Sequence, residues 1–233
     1  MKVLIIIPAY NEADGISQLI DNLKTNYAQY DYVIINDGST DNTKKLCKEK
    51  DYNVLNLPIN LGIGGAVQTG YKYARENDYD IAVQIDGDGQ HNPQYIEQMI
   101  MRMETEDADI VIGSRFINKE GFQSSRMRRA GINFLSNLIK LCTGKKIYDV
   151  TSGFRVVNKR FINIFSEDYS RDYPEPEAIV TAVMWKGKLL EEPVIMNERK
   201  TGTSSINFRR SFYYMIKVTL AILVRRISYG IRR

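Results

Sequence analysis

Two aspartates spaced two residues apart, Asp86 and Asp88, close a short apolar run between Ile81 and Pro93 (IAVQIDGDGQHNP). In an extended segment that spacing points both carboxylates to one side. Two anions held together at the end of a buried strand are costly unless a cation sits between them. Two carboxylates, the Gln90 amide and glycines that let the backbone turn suit a hard cation, Mg2+ or Mn2+. Such a cation is commonly shared with a substrate phosphate. A plain Asp-Gly turn at a strand end uses the same residues. On this stretch alone both readings stand.

The elements before it show what must position it. Lys2–Ile7 is a continuous apolar run, expected to be a strand covered on both faces. After Pro8–Glu12 a helical pattern begins at Asp14, with Ile16, Leu19, Ile20 and Leu23 on one face. Strands are expected at Asp31–Asn36, Asn53–Leu57, Ile81–Ile85 and Asp109–Ile112, with helices between them. Ser39, Thr40 or Asp41 can cap the second helix. Pro93 fits the first turn of a helix running to about Glu106. This alternation predicts a mostly parallel, doubly wound α/β sheet. In such sheets ligands lie beyond the carboxyl ends of the strands. The loops holding Tyr10–Glu12, Asp37, Asp86–Gln90 and Arg115 all fall there, which favours the cation reading.

Other classes fit poorly. No G-x-G-x-x-G follows the first strand and no G-x-x-x-x-G-K-[ST] exists, so dehydrogenase and P-loop readings lack support. Gly62–Gly65 is read as a tight helix entry with close packing. One histidine, and Cys47 far from Cys142, argue against zinc; two free buried thiols in a reducing cytosol are expected. The apolar N-terminus is too short for a signal peptide and is followed by Asn11, Glu12 and Asp14. No apolar run reaches the roughly 20 residues of a membrane span.

Beyond Arg115 the alternation breaks. A polar loop is expected at 118–125, then a helix with Ile132, Leu135, Leu138 and Ile139 on one face and Gly144 as its stop. Polar Asp149–Arg155 abuts Val156 and Val157. A helix over Ala178–Lys186 and a last strand over Leu189–Met196 follow. Arg199–Ser205 is a basic Gly/Ser loop suited to phosphate oxygens. Residues 200–233 hold eight basic residues and no acid, leaving 1–199 with a net charge of −4. Within that tail, Ser211–Val224 is apolar, interrupted by Lys217 and flanked by arginines, which fits a helix lying in a membrane interface. A helix packed on the domain with a solvated basic face is the alternative. A membrane partner protein covering the apolar surface is a further one.

Together, Pro8–Glu12 (PAYNE), Asn36–Asp41 (NDGSTD), Asp86–Pro93 (DGDGQHNP), Gly113–Arg115, Asp149–Arg155 with its SGFR, and Arg199-x-x-Gly202-x-Ser204 resemble family 2 glycosyltransferases of the GT-A fold. Among them the likeness is nearest to dolichyl- and polyprenyl-phosphate sugar transferases, and it runs from Lys2 to about Ser205. It implies a GT-A domain over 1–205 and a basic amphipathic helix over 206–233. It also implies inverting, metal-dependent transfer from a nucleotide-sugar to a polyprenyl phosphate, peripheral on the cytoplasmic membrane face, for cell-envelope glycan synthesis. A UDP-sugar is the favoured donor, GDP-mannose is compatible, and no nucleic-acid partner is expected.

The resemblance assigns roles at matching positions. Pro8, Tyr10, Glu12 and Asp37 would hold the nucleoside, and Arg199 would sit over the donor phosphates. Asp86, Asp88 and Gln90 would hold the cation, with Asp86 also near the donor. Asp86, Asp88, Arg115 and Arg129 form the expected catalytic set. Arg115, Arg129, Ser152 and Arg155 would grip the acceptor phosphate. Two departures stand out: Ser205 replaces a common Lys, and Gly89 stands where a larger residue is usual. His91 is read as structural. Glu175 or Glu177 is either a sugar- or acceptor-facing carboxylate or part of a Pro-bounded turn. A phosphate acceptor is largely dianionic at neutral pH and needs little general base, whereas a hydroxyl needs one. Rival functions are transfer to a glycan hydroxyl, nucleotidyl transfer to a sugar phosphate, and a non-catalytic basic binding module.

Overall fold

The computed structural model describes residues 1–123, 125–197 and 208–231, with side chains in the last stretch described from Tyr213 to Ser228. Seven strands form one sheet: β1 (Val3–Ala9), β2 (Asp31–Asn36), β3 (Val54–Asn56), β4 (Ile81–Gln84), β5 (Ile110–Ser114), β6 (Arg155–Asn158) and β7 (Leu189–Pro193). Their order across the sheet is β3-β2-β1-β4-β6-β5-β7. All neighbours are parallel except β6, which runs antiparallel between β4 and β5. The mostly parallel sheet matches expectation. The reversed strand was not foreseen, because Val156 and Val157 make too short a run to show direction.

Every residue of β1 is buried, as a strand covered on both faces requires. Alternate residues serve two cores. Leu4 and Ile6 face the core that also holds Val67, Tyr71, Phe161, Phe165, Ile179 and Val218. Val3, Ile5 and Ile7 face the core of Ile16, Ile20, Met99 and Met103. The first core is covered by α3 (Gly62–Glu76), α5 (Arg126–Thr143), α6 (Lys159–Glu167), α7 (Pro174–Met184) and α8 (Phe208–Ile231). The second is covered by α1 (Ala13–Asn26), α2 (Thr43–Glu49) and α4 (Ile96–Thr105).

Several boundaries differ from expectation for identifiable reasons. Pro93 starts a single 3-10 turn, and α4 follows it at Ile96. Helix α6 was not anticipated. Its start is set by Asn158, whose side chain accepts from the Phe161 amide at 3.0 Å. Helix α7 begins at Pro174, four residues earlier than expected, and Trp185 lies in its C-terminal cap. Prolines 174 and 176 occupy its first turn, where a missing N–H costs nothing. Gly144 ends α5 in the left-handed region at φ 75°. Cys47 is buried as expected, but Cys142 is only half-buried.

Helix α8 docks on α5 and α7 through buried Val218 and Ile222. Tyr213, Ile216, Leu220, Val224 and Ile227 remain exposed on it. Among the described residues, no helix is long and apolar enough to cross a membrane.

The α3 entry explains its glycines. Both Asp37 carboxylate oxygens accept from the first amides, Leu61 at 2.7 Å and Gly62 at 2.9 Å. Gly64 donates its own amide to Arg171 O at 3.1 Å. A Cβ on Gly64 would lie 1.9 Å from Ser170 O. Gly64→Ala is therefore expected to cost about 1–3 kcal/mol, as overpacking against backbone does. Urea unfolding measures this; unchanged stability would show that the segment beside α3 gives way freely.

Candidate active site

The first rim loop follows β1. Pro8 lies buried within the strand, so it shapes the loop and offers no open face. Tyr10 is exposed at the loop tip. Asn11 holds a positive φ of 57°. Its side-chain oxygen accepts from the amides of Thr40 at 2.8 Å and Asp41 at 3.2 Å, joining the first two rim loops. Glu12 is anchored through its backbone amide to Thr43 Oγ1 at 3.0 Å. Asp37 is buried and orders the α3 entry. Tyr10, Glu12 and Asp37 are thus brought to one end of β1 and β2.

The Asp86–Gln90 segment is a turn, since β4 stops at Gln84 and Gly89 has φ 74°. The same-side argument for an extended chain therefore does not apply. Asp88 Oδ1 accepts from the Gln90 amide at 3.0 Å, closing an Asx turn. The turn is pinned from two sides. His91 Nδ1 accepts from the Asp86 amide at 3.0 Å, and its ring stacks on Phe154 at 5.2 Å. The Asn197 amide donates to Gln90 O at 2.9 Å. These contacts give His91 a structural place.

The donor set suits a hard cation only in part. Among the described residues, no three His, Cys, Asp or Glu side chains gather into a cage. Asp86 and Asp88 supply two carboxylates at most. That fits Mg2+ or Mn2+, which take one or two carboxylates and complete their shell with substrate phosphate and water. Asp86, Asp88 and Gln90 would hold such an ion, and the ion would neutralise negative charge on a departing diphosphate.

Beneath Asp86 lies β6. Gln84 of β4 pairs with Arg155 of β6 in the ladder. Arg155 is 1% exposed and donates from Nε to Ser152 O at 2.9 Å and from Nη2 to Glu175 O at 2.8 Å. A Cβ on Gly153 would lie 3.1 Å from both Asp86 carboxylate oxygens, so any larger residue there would press on that carboxylate. Ser152 is also fully buried, and its Oγ accepts from the Phe154 amide at 3.3 Å. Ser152 and Arg155 therefore underlie the opening. The direct acceptor contact expected of them is not offered by this arrangement.

Arg115 is committed elsewhere as well. Its Nε and Nη2 donate to the two oxygens of buried Asp149, each at 2.7 Å. Glu191 orients that partner by accepting from the Tyr148 and Asp149 amides at 2.8 and 2.9 Å. Arg129 stacks over the Phe116 ring at 4.0 Å and donates to Gln123 Oε1 at 2.9 Å. Arg128, not singled out from the sequence, is an exposed residue whose charge feels Arg115, Asp149 and Glu175. Burial, then the like charge of Arg115, lowers its pKa. A cation under that pressure favours an incoming anion. Arg199 lies outside the described residues.

The two glutamates of α7 separate. Glu177 accepts from Ser170 Oγ at 2.7 Å and faces Arg225 Nε at 3.5 Å, which ties it to the scaffold. Glu175 keeps some accessible surface, yet its carboxyl interacts with Arg155 of β6, Asp86 of the acidic turn and Arg128 of α5. Burial pushes that carboxyl up to about 7, against the pull of Arg155 and with the push of Asp86. The hydroxyls of Tyr71 and Tyr169 are buried near Arg155 and Glu175, and burial raises the pKa of both.

This arrangement has known counterparts. The model of the family described as "Glycosyl transferase family 2" matches residues 4–165. The chain belongs to that family. This family 2 glycosyltransferase is 34% identical over 212 residues to the UDP-N-acetylglucosamine–dolichyl-phosphate N-acetylglucosaminyltransferase of Methanococcus voltae, covering 82% of this chain and 84% of that one. It is 27% identical to the undecaprenyl-phosphate mannosyltransferase of Micrococcus luteus, covering 89% and 88%. Its GT-A fold is shared with glucosyl-3-phosphoglycerate synthase from Mycobacterium tuberculosis, solved with Mn2+, UDP and phosphoglyceric acid. That likeness has a TM-score of 0.73 at 16% identity, over 97% of this chain and 78% of that one.

The Glu175 environment predicts a pH-dependent stability. Its folded pKa of about 7 stands above the ordinary 4.5, so its contribution is fully present below about 4.5 and is lost as pH rises through 7. Glu175→Gln removes that loss. With chelator present, the melting temperature of the variant relative to wild type is expected to be higher at pH 8 than at pH 5. An offset independent of pH would show that the carboxyl titrates normally.

Proposed function

We propose that this glycosyltransferase moves a sugar, with inversion, from a nucleotide diphospho-sugar to a polyprenyl phosphate at a membrane surface. The observation that carries it is the Glu175 carboxyl, which feels both Asp86 of the acidic turn and the Arg128 cation of α5, so that acid and base meet at one rim. Tyr10, Glu12 and Asp37 would receive the nucleoside, with Arg199 on the donor phosphates. Asp86, Asp88 and Gln90 would take the divalent cation. Arg128 and Arg129 would position the acceptor phosphate, with Arg115 and Arg155 supplying positive potential from behind. A UDP-sugar is the favoured donor, in keeping with the UDP-N-acetylglucosamine-using relative from Methanococcus voltae, and GDP-mannose remains compatible.

The sequence relatives, a dolichyl-phosphate and an undecaprenyl-phosphate sugar transferase, support the lipid acceptor. Surface chemistry supports a membrane or a small membrane partner: Leu220, Val224 and Ile227 on α8 and Met127, Phe134 and Leu141 on α5 are all exposed apolar residues. Such an enzyme would work as a peripheral protein on the cytoplasmic face.

Transfer to a hydroxyl of a small acceptor is the second reading, and the fold neighbours favour it over the lipid one. The Mycobacterium tuberculosis enzyme was solved with phosphoglyceric acid beside UDP-glucose and Mn2+. Glu175, with its pKa about 7 beside Asp86, has the properties of the base a hydroxyl needs.

Both readings require the acidic turn. Asp88→Ala is expected to lower turnover by two or more orders of magnitude with an unchanged circular dichroism spectrum; retained turnover would contradict both. Radiolabelled sugar separates the two. Label in an organic-extractable, mild-acid-labile product supports the lipid acceptor, while label confined to the aqueous phase supports the hydroxyl. The pH profile adds a second check. A hydroxyl acceptor predicts a rate that rises through about pH 7 and falls about 100-fold or more in Glu175→Gln. A phosphate acceptor predicts a limb near its own second pKa of about 6 that survives the substitution.

A further inference from the structure

One guanidinium of α8 joins three helices. Arg225 Nη1 and Nη2 donate to the Asp168 carboxylate at the end of α6, at 3.0 and 2.9 Å. Nη1 also donates to Thr181 Oγ1 of α7, and Nε lies 3.5 Å from Glu177 Oε2. The segment between those anchors, 168–177, is held at further points. Ser170 Oγ donates to Glu177 Oε1 at 2.7 Å, Lys217 of α8 pairs with Asp172, and Tyr173 meets Tyr214 of α8 edge-on at 4.6 Å.

The other side of that segment faces the active site. Arg171 O accepts from the Gly64 amide at the α3 entry, where the Asp37 carboxylate accepts from the preceding amides of Leu61 and Gly62. The first turn of α7 carries Glu175, and the backbone oxygen of Glu175 receives Arg155. A displacement at Arg225 is therefore passed through a short, tightly packed segment to both the Asp37 loop and Glu175. Close approach of Gly64 to Ser170 O leaves that segment little slack.

We infer that Arg225 is a positioning residue of the active site. Its guanidinium clamps segment 168–177 between α8 and the α3 entry, so that α8 completes the donor rim in addition to presenting an outer apolar face. The clamp is read from the contacts; its effect on turnover rests on the proposed function, which places the chemistry at that rim. Lysine cannot replace it, because a point charge cannot hold Asp168 with two parallel bonds while reaching Thr181 and Glu177.

The test uses the full chain with Arg225→Lys, Arg225→Ala and Asp168→Asn, and Leu220→Glu as the outer-face control. Asp168→Asn weakens the clamp from the partner side if the arginine variants do not fold. Three quantities are read. The first is amide hydrogen exchange at Gly64 and Ile179–Ala182. The second is UDP release from UDP-N-acetylglucosamine with farnesyl phosphate in detergent-free solution. The third is co-sedimentation with vesicles of phosphatidylglycerol and phosphatidylethanolamine. The clamp predicts at least tenfold faster exchange in the Arg225 and Asp168 variants. Turnover falls on the order of 10- to 100-fold, as for a misplaced reacting group, with vesicle binding retained. Leu220→Glu shows the reverse, losing vesicles while keeping exchange and turnover. Wild-type exchange in all clamp variants overturns the inference, as does faster exchange with turnover within twofold of wild type. Wild-type protein inactive on these probes counts against the proposed function, and exchange alone then decides the clamp.

Discussion

A fully buried arginine beneath the carboxylates of the rim is the constraint on which this structure depends. Arg155 is 1% exposed, and its hydrogen bonds go to backbone oxygens of Ser152 and Glu175. Its charge draws the Glu175 carboxyl toward the ionised form, while Asp86 pushes that carboxyl the other way. Two carboxylates at the end of a sheet would otherwise repel and favour neutral forms. The reversed strand β6 makes this possible. Running antiparallel between β4 and β5, it delivers Arg155 at the carboxyl end of β4, opposite Gln84. A parallel strand would begin its residues at the far end of the sheet. Breaking such a pair from one side leaves an uncompensated buried charge, which is strongly destabilising.

Local pattern carried much of the fold. The periodic faces of α1 and α5 and the unbroken burial of β1 follow from spacing that survives into the structure. Short elements did not announce themselves. Helix α6 is nine residues long and starts directly after a strand, so its pattern merges with its neighbour. Prolines 174 and 176 read as breakers, although in a first helical turn they break nothing.

The site was legible in kind and less so in detail. Asp86, Asp88, Tyr10, Glu12 and Asp37 gather where strand polarity puts them. What spacing could not show is which charges are spent inside the protein. Arg115 and Asp149 lie far apart in sequence and form a bidentate pair, leaving the more exposed Arg128 beside them. Glu175 and Glu177 are two residues apart, yet one faces the rim and the other the C-terminal helix. Helix α8 likewise has two faces, one tied to α6 and α7 by Arg225 and one apolar and exposed. Composition registers only its basic character.

The central claim is that the Asp86–Gln90 turn receives a donor diphosphate through a divalent cation. Isothermal titration of UDP into the protein, with Mn2+ and again with chelator, tests it most directly when Asp88→Asn is measured alongside. The account predicts binding to wild type that requires Mn2+ and weakens at least tenfold in the variant. Equal affinity with and without Mn2+, or undiminished binding by Asp88→Asn, would contradict it.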